Sequence, residues 1–137
     1  MSVIDMKLMR YINLLDRVSN VKTRKCFVYN NAILFAVPRM MVSQAIGPGA
    51  YNIKVLQEQL GKRIRIVTEP QGVADATKFV SEVVSPVRFR SLEIKEGMFV
   101  LNAGSSSKAA LIGRGKARLE ELREIVKNNF GIDLKIV

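Results

Sequence analysis

The chain has 137 residues, 48% of them hydrophobic, and carries 22 Lys and Arg against 12 Asp and Glu, a formal net charge of +10. That apolar share suffices for packed cores and excludes wholesale disorder. With no histidine and one cysteine, Cys26, the residues exclude Cys/His metal sites, internal disulfides, and Ser-His-Asp or Cys-His catalysis. The cation excess points to a polyanionic partner.

Asp5 interrupts the N-terminal stretch, and no apolar core of a secretory signal follows it. Nor does any apolar run approach the roughly 18 residues that span a bilayer. A cytoplasmic protein without membrane attachment is therefore expected. Cys26 is expected to be a small buried apolar residue of a strand.

Ile4, Leu8, Tyr11, Leu15 and Val18 recur at helical spacing and predict a helix over 3–18. Two strands follow, 23–29 and 32–37, separated by Asn30-Asn31, whose side chains tolerate the positive φ of a tight hairpin turn. After Pro38 comes a short helix, 40–46, in which Met40 and Met41 are expected to pack into the core or a hinge. A glycine-bearing turn leads to a helix over 51–60. Ile64 and Ile66 then alternate with Arg63 and Arg65 in a half-buried strand over 62–67. The joint, 68–72, is short and contains Pro70 and Gly72, so two closely packed domains are expected, 1–69 and 70–137. The second repeats the order: helix 73–84, strands 88–95 and 98–103 around Glu96-Gly97, helices 106–112 and 117–129, and strand 133–137. The fold class is α+β, with α-β-β-α-α-β in each half and a three-stranded sheet covered by helices on one face.

Self-comparison carries the reading furthest. A shift of 66 places Ile46-Gly47-Pro48-Gly49 on Ile112-Gly113-Arg114-Gly115. The same shift puts Val18 on Val84, Ser19 on Ser85, Arg24 on Arg90 and Leu56 on Leu122. Ile53, Leu56 and Leu60 share one helix face, and Leu119, Leu122 and Val126 repeat it in phase. The last strand falls at a separation of 70 (137 − 67), the extra residues lengthening the helix or its exit near Gly131, a suitable C-terminal cap.

A glycine turn between two helices suits a phosphate, because glycine permits left-handed angles and the following helix begins there with its amides unpaired. The stretches around Ile46 to Val67 and Leu111 to Val137 resemble the KH domain, whose signature is Ile-Gly-x-x-Gly between two helices. The element order resembles its type II form, and two tight copies resemble the archaeal NusA transcription factor family over essentially the whole chain. That resemblance implies a non-catalytic single-stranded RNA-binding factor of transcription elongation, termination or antitermination. RNA polymerase or a transcription complex is a further implied partner.

Carried onto this chain, the resemblance implies RNA contacts at Ile46, Gly47, Pro48, Gly49, Ala50, Asn52, Lys54, Arg63 and Arg65. In the second copy it implies Ile112, Gly113, Arg114, Gly115, Lys116 and Arg118. Two departures stand out. The signature's last glycine is Ala50 in one copy and Lys116 in the other, and Pro48 removes a backbone donor. A glycine one position earlier in each copy leaves room for a shifted turn.

Tyr51 either stacks on a base or packs against Ile46. Residues 1–67 carry 11 basic and 3 acidic residues, net +8; residues 68–137 carry 11 and 9, net +2. Neither turn has the Gly-Lys-Ser/Thr ending of a nucleotide loop or the three glycines of a dinucleotide fingerprint, so no cofactor is expected. The alternative is a KH-fold protein-interaction scaffold, docking on RNA polymerase or a ribosomal partner, with weak RNA-binding turns.

Overall fold

The computed structural model describes residues 3–137, with side chains from Met6 onward. The chain divides into two compact units, Met1–Glu69 and Pro70–Val137. It is mixed α+β, with two three-stranded sheets ordered β1-β2-β3 and β4-β5-β6.

The first unit opens with α1 (Val3–Ser19), whose Tyr11 and Leu15 are buried, with Leu8, Ile12, Leu14 and Val18 packed beside them. Ser19 ends the helix. Its Oγ donates to the Leu15 carbonyl at 2.7 Å and accepts from the Val21 amide at 3.2 Å. β1 (Lys25–Tyr29) and β2 (Ala32–Val37) form an antiparallel hairpin. Asn30 and Asn31 both take positive φ, 49° and 62°, as a two-residue turn that matches strand twist requires.

β1 starts two residues later than its sequence suggests, at Lys25. Thr23 Oγ1 donates to the Ala36 carbonyl and accepts from the Lys25 amide at 3.0 Å, so a side chain replaces the ladder there. β3 (Arg63–Thr68) lies parallel to β2, pairing Ile64 with Ile33 and Ile66 with Phe35. Between them run α2 (Val42–Ile46) and α3 (Tyr51–Leu60). The core takes Ile33, Phe35 and Val37 from alternate positions of β2, with Cys26, Ala45, Leu56 and Ile64. Burial pushes the Cys26 thiol up to about 12, so it stays protonated and unreactive at neutral pH.

Met40 and Met41 do not enter this core. They stand in a 3-10 turn, Arg39–Met41, on the surface directly after Pro38, and Met40 is 92% exposed. The α-helix proper starts only at Val42, so neither methionine lies on its apolar face.

The second unit contains α4 (Ala76–Val84), β4 (Ser91–Lys95), β5 (Met98–Asn102), α5 (Lys108–Ile112), α6 (Ala117–Phe130) and β6 (Leu134–Ile136). β4 runs antiparallel to β5, and β6 parallel to it. Phe130 makes edge-to-face contacts with Phe79 and Phe99, at 5.8 and 5.5 Å between ring centroids. The added turn of α6 thus anchors it to helix and sheet.

Gly131 closes α6 at φ +71°, donating to Lys127 O at 2.8 Å; Gly61 closes α3 in the same way on Gln57 O. Beyond that cap, Asp133 accepts from Arg123 Nε and Nη2 at 2.9 and 2.8 Å. The guanidinium holds the Asp133 carboxyl well below the usual carboxylate range.

A separation of 66 relates the element starts from the hairpin through the fifth and sixth helices, but not the first helix. α1 ends at Ser19 and α4 at Val84, a separation of 65 (84 − 19). The buried positions agree at that separation. Tyr11, Leu15 and Ser19 fall on Ala76, Val80 and Val84, all six buried. The link from α4 to β4 is one residue longer than that from α1 to β1, which restores 66 at the hairpin.

Candidate nucleic-acid interface

Both glycine turns adopt one backbone path. Gly47 has φ/ψ 79°/165° and Gly113 76°/170°. Gly49 and Gly115 are left-handed at 58°/30° and 62°/23°, and so are Ala50 at 59°/30° and Lys116 at 64°/20°. The turn has not shifted. Ala50 and Lys116 hold the left-handed position that favours glycine, at about 1–2 kcal/mol each.

The two glycines of a turn have different duties. A Cβ on Gly47 would stand 2.9 Å from Asn52 Cγ and 3.1 Å from the Asn52 amide; one on Gly113 would stand 2.7 Å from Arg118 Cγ. The first glycine therefore admits the second residue of the next helix. Gly49 and Gly115 face open space, with nothing within 4 Å of a Cβ.

Hydrogen bonding decides what each turn can offer. In the first, the Ala50 amide donates to Gly47 O at 3.1 Å and the Tyr51 amide to Pro48 O. In the second, the Lys116 amide donates to Gly113 O at 3.2 Å and the Ala117 amide to Arg114 O. Among the described residues, these bonds use neither the Gly49 amide in one turn, Pro48 having none, nor those of Arg114 and Gly115 in the other.

Ile46 and Ile112 are half-buried at the ends of α2 and α5. Pro48 is exposed at the first turn, and Lys54 is exposed one helical turn into α3. Asn52 faces inward to the turn, its Nδ2 donating to Gln44 O at 3.0 Å. Arg114 and Lys116 are exposed, whereas Arg118 packs over Gly113 with its Nε 3.0 Å from Glu121 Oε1. Arg63 pairs with Ala32 at the hairpin end of the sheet, where Lys62 Nζ donates to Asn31 Oδ1 at 3.3 Å. That is the far end of α3 from the turn, about 15 Å of helix away. Arg65, half-buried, lies two residues nearer.

Tyr51 is 63% exposed beside the first turn. Sequence reading missed Gln44, whose Nε2 donates to Ser19 O at 3.1 Å and ties α2 to the exit of α1. Its partners lie 25 and 8 residues away, so no local pattern marks it. Among the described residues, no cluster of His, Cys, Asp and Glu could hold a metal ion, and no helix is long and apolar enough to cross a membrane.

Fold and site together define a mixed α+β protein with two three-stranded sheets, each unit bearing a glycine turn between two helices. No family model matches the chain. It is 26% identical over 128 residues to the "Probable transcription termination protein NusA" of Halococcus morrhuae, covering 91% of this chain and 90% of that one. To the protein of the same name from Methanocaldococcus jannaschii it is 23% identical over 125 residues, covering 88% and 67%. A solved structure titled "Crystal structure of APE1850" matches with a TM-score of 0.68 and 27% identity, over 96% of this chain and 99% of that one. The two sequence relatives support a NusA-related family.

Proposed function

We propose that the chain is a non-catalytic single-stranded RNA-binding factor of transcription elongation or termination. On this reading it consists of two type II KH-like domains, 1–69 and 70–137, acting in the cytoplasm beside RNA polymerase. The carrying observation is the shared backbone path of the two turns, kept although Ala50 and Lys116 must hold left-handed angles to keep it. The names of the two sequence relatives support the transcriptional setting.

The chemistry is a backbone clamp. The amides of Gly49, Arg114 and Gly115, not used by the bonds within the turns, with Lys54, Arg114 and Lys116 close by in sequence, supply donors and charge to phosphate oxygens. Splayed bases then lie along the adjoining helices, with Tyr51 as a stacking surface. Asn52 and Arg118 act inside the protein, fixing each turn.

Titrating fluorescent single-stranded RNA across a salt series tests this. If phosphate contacts dominate, log affinity falls linearly with log salt, by about 0.7 for each phosphate neutralised, and about three to six phosphates are engaged. Binding that stays flat with salt overturns the reading in favour of a protein-interaction scaffold.

A further inference from the structure

In the first unit, α1 and the C-terminal end of α3 enclose a groove of about 320 Å³. Its walls carry Arg10, Asn13 and Arg17 from α1 and Gln59 from α3, over a floor of Tyr11, Leu14 and Leu60. No carboxylate lines it. Both arginines are exposed, and among the described residues neither has an ion pair.

The fold does not require this arrangement. At the separation of 65 that aligns the first helices, Arg10 and Arg17 fall on Asp75 and Glu82. At the separation of 66 that aligns α3 with α6, Gln59 and Leu60 fall on Ile125 and Val126, both buried. The basic, amide-lined groove thus belongs to one copy alone.

We propose that this groove docks an acidic peptide segment of a protein partner. Guanidinium forks bind carboxylates in two-point pairs. Seven helical residues set the two arginines about 10 Å apart. Two acids three residues apart on a peptide in the polyproline-II conformation share one face and span about 9 Å. An apolar residue between them meets Leu14 and Leu60, while Asn13 and Gln59 reach the peptide backbone. Single-stranded RNA fits less well, because the aromatic ring that lines the groove, Tyr11, is only 7% exposed and offers no stacking platform.

The test uses the full chain and a fluorescein-labelled peptide with the core Glu-Leu-Ser-Glu, followed by anisotropy. The peptide should bind, and the double variant R10Q/R17Q should weaken it at least about ten-fold while changing RNA affinity by less than about two-fold. Four results overturn the proposal. The first is no binding up to about 1 mM peptide. The second is equal binding of a Lys-Leu-Ser-Lys peptide, and the third an unchanged affinity in the variant. In the fourth, RNA displaces the peptide and the variant loses both ligands alike, which assigns the groove to RNA. The outcome does not depend on the turns, so RNA binding there can fail while this proposal stands.

Discussion

Asn52 occupies the space that a side chain at Gly47 would need, with its Cγ 2.9 Å from the position of a Cβ there. Its backbone amide, at 3.1 Å, cannot move without moving α3. Gly47→Ala therefore combines a steric conflict with a left-handed φ of +79° and should cost about 2 kcal/mol or more. Gly49→Ala meets only the left-handed cost, about 1 kcal/mol. Urea denaturation of both variants should rank them in that order, and equal losses would remove the packing role assigned to Asn52.

Ala50→Gly and Lys116→Gly should each stabilise the protein. Relief of the left-handed strain outweighs the added unfolded-state entropy, leaving a net gain of about 0.5–1 kcal/mol. A rise in the denaturant midpoint at unchanged slope is the expected result. Lower stability would mean that these side chains make contacts worth more than the strain.

The second turn should bind RNA more strongly than the first. Its internal bonds leave two amides, of Arg114 and Gly115, against one in the first turn, and Arg114 and Lys116 are exposed within it. The net +8 of residues 1–67 is spread over the whole unit, and charges beyond about 10 Å are largely screened. Replacing Arg114 and Gly115 with Asp should reduce RNA affinity by about ten-fold, and Pro48 and Gly49 with Asp by less. Asp tolerates left-handed angles and both glycines face open space, so circular dichroism should show intact folds. A larger loss at the first turn would show that the +8 field holds the RNA.

Asp133 ties the exit of α6 to Arg123, and its carboxyl lies below the ordinary value of 3.8. A depressed folded-state pKa gives stability that is present above the unfolded value and lost as pH falls through the folded one. Asp133→Asn should therefore lower the melting temperature at pH 7, and its gap to the natural protein should start to narrow below about pH 4 and keep narrowing as pH falls toward the depressed folded-state value. A gap constant down to low pH would mean that the pair contributes through packing rather than charge.

Element order and the glycine turns were legible because apolar spacing and turn residues are local signals. The Asn30-Asn31 hairpin, the phase of Leu56 and Leu122, and the Gly131 cap all rest on residues within a few positions of one another. The same locality accounts for the errors. Thr23 shortens β1 through a bond to Ala36, 13 residues away, and Met40 reads as core only because its solvent-facing turn has no sequence signature. Likewise, a gapless shift of 66 hid the slip to 65 in the first helix, since only burial shows which face of α4 turns inward.

By itself, the sequence determined the element order α-β-β-α-α-β in each half, a basic excess and a glycine turn in each half, because hydrophobic period and backbone permissiveness are written residue by residue. Only tertiary structure decided where each turn residue stands. It turned Asn52 and Arg118 inward over the first glycines, left Gly49 and Gly115 facing outward, and set Arg63 a helix length from the turn. It also joined Arg10 and Arg17 with Gln59 in one groove, a meeting that depends on how two helices pack about 45 residues apart in sequence.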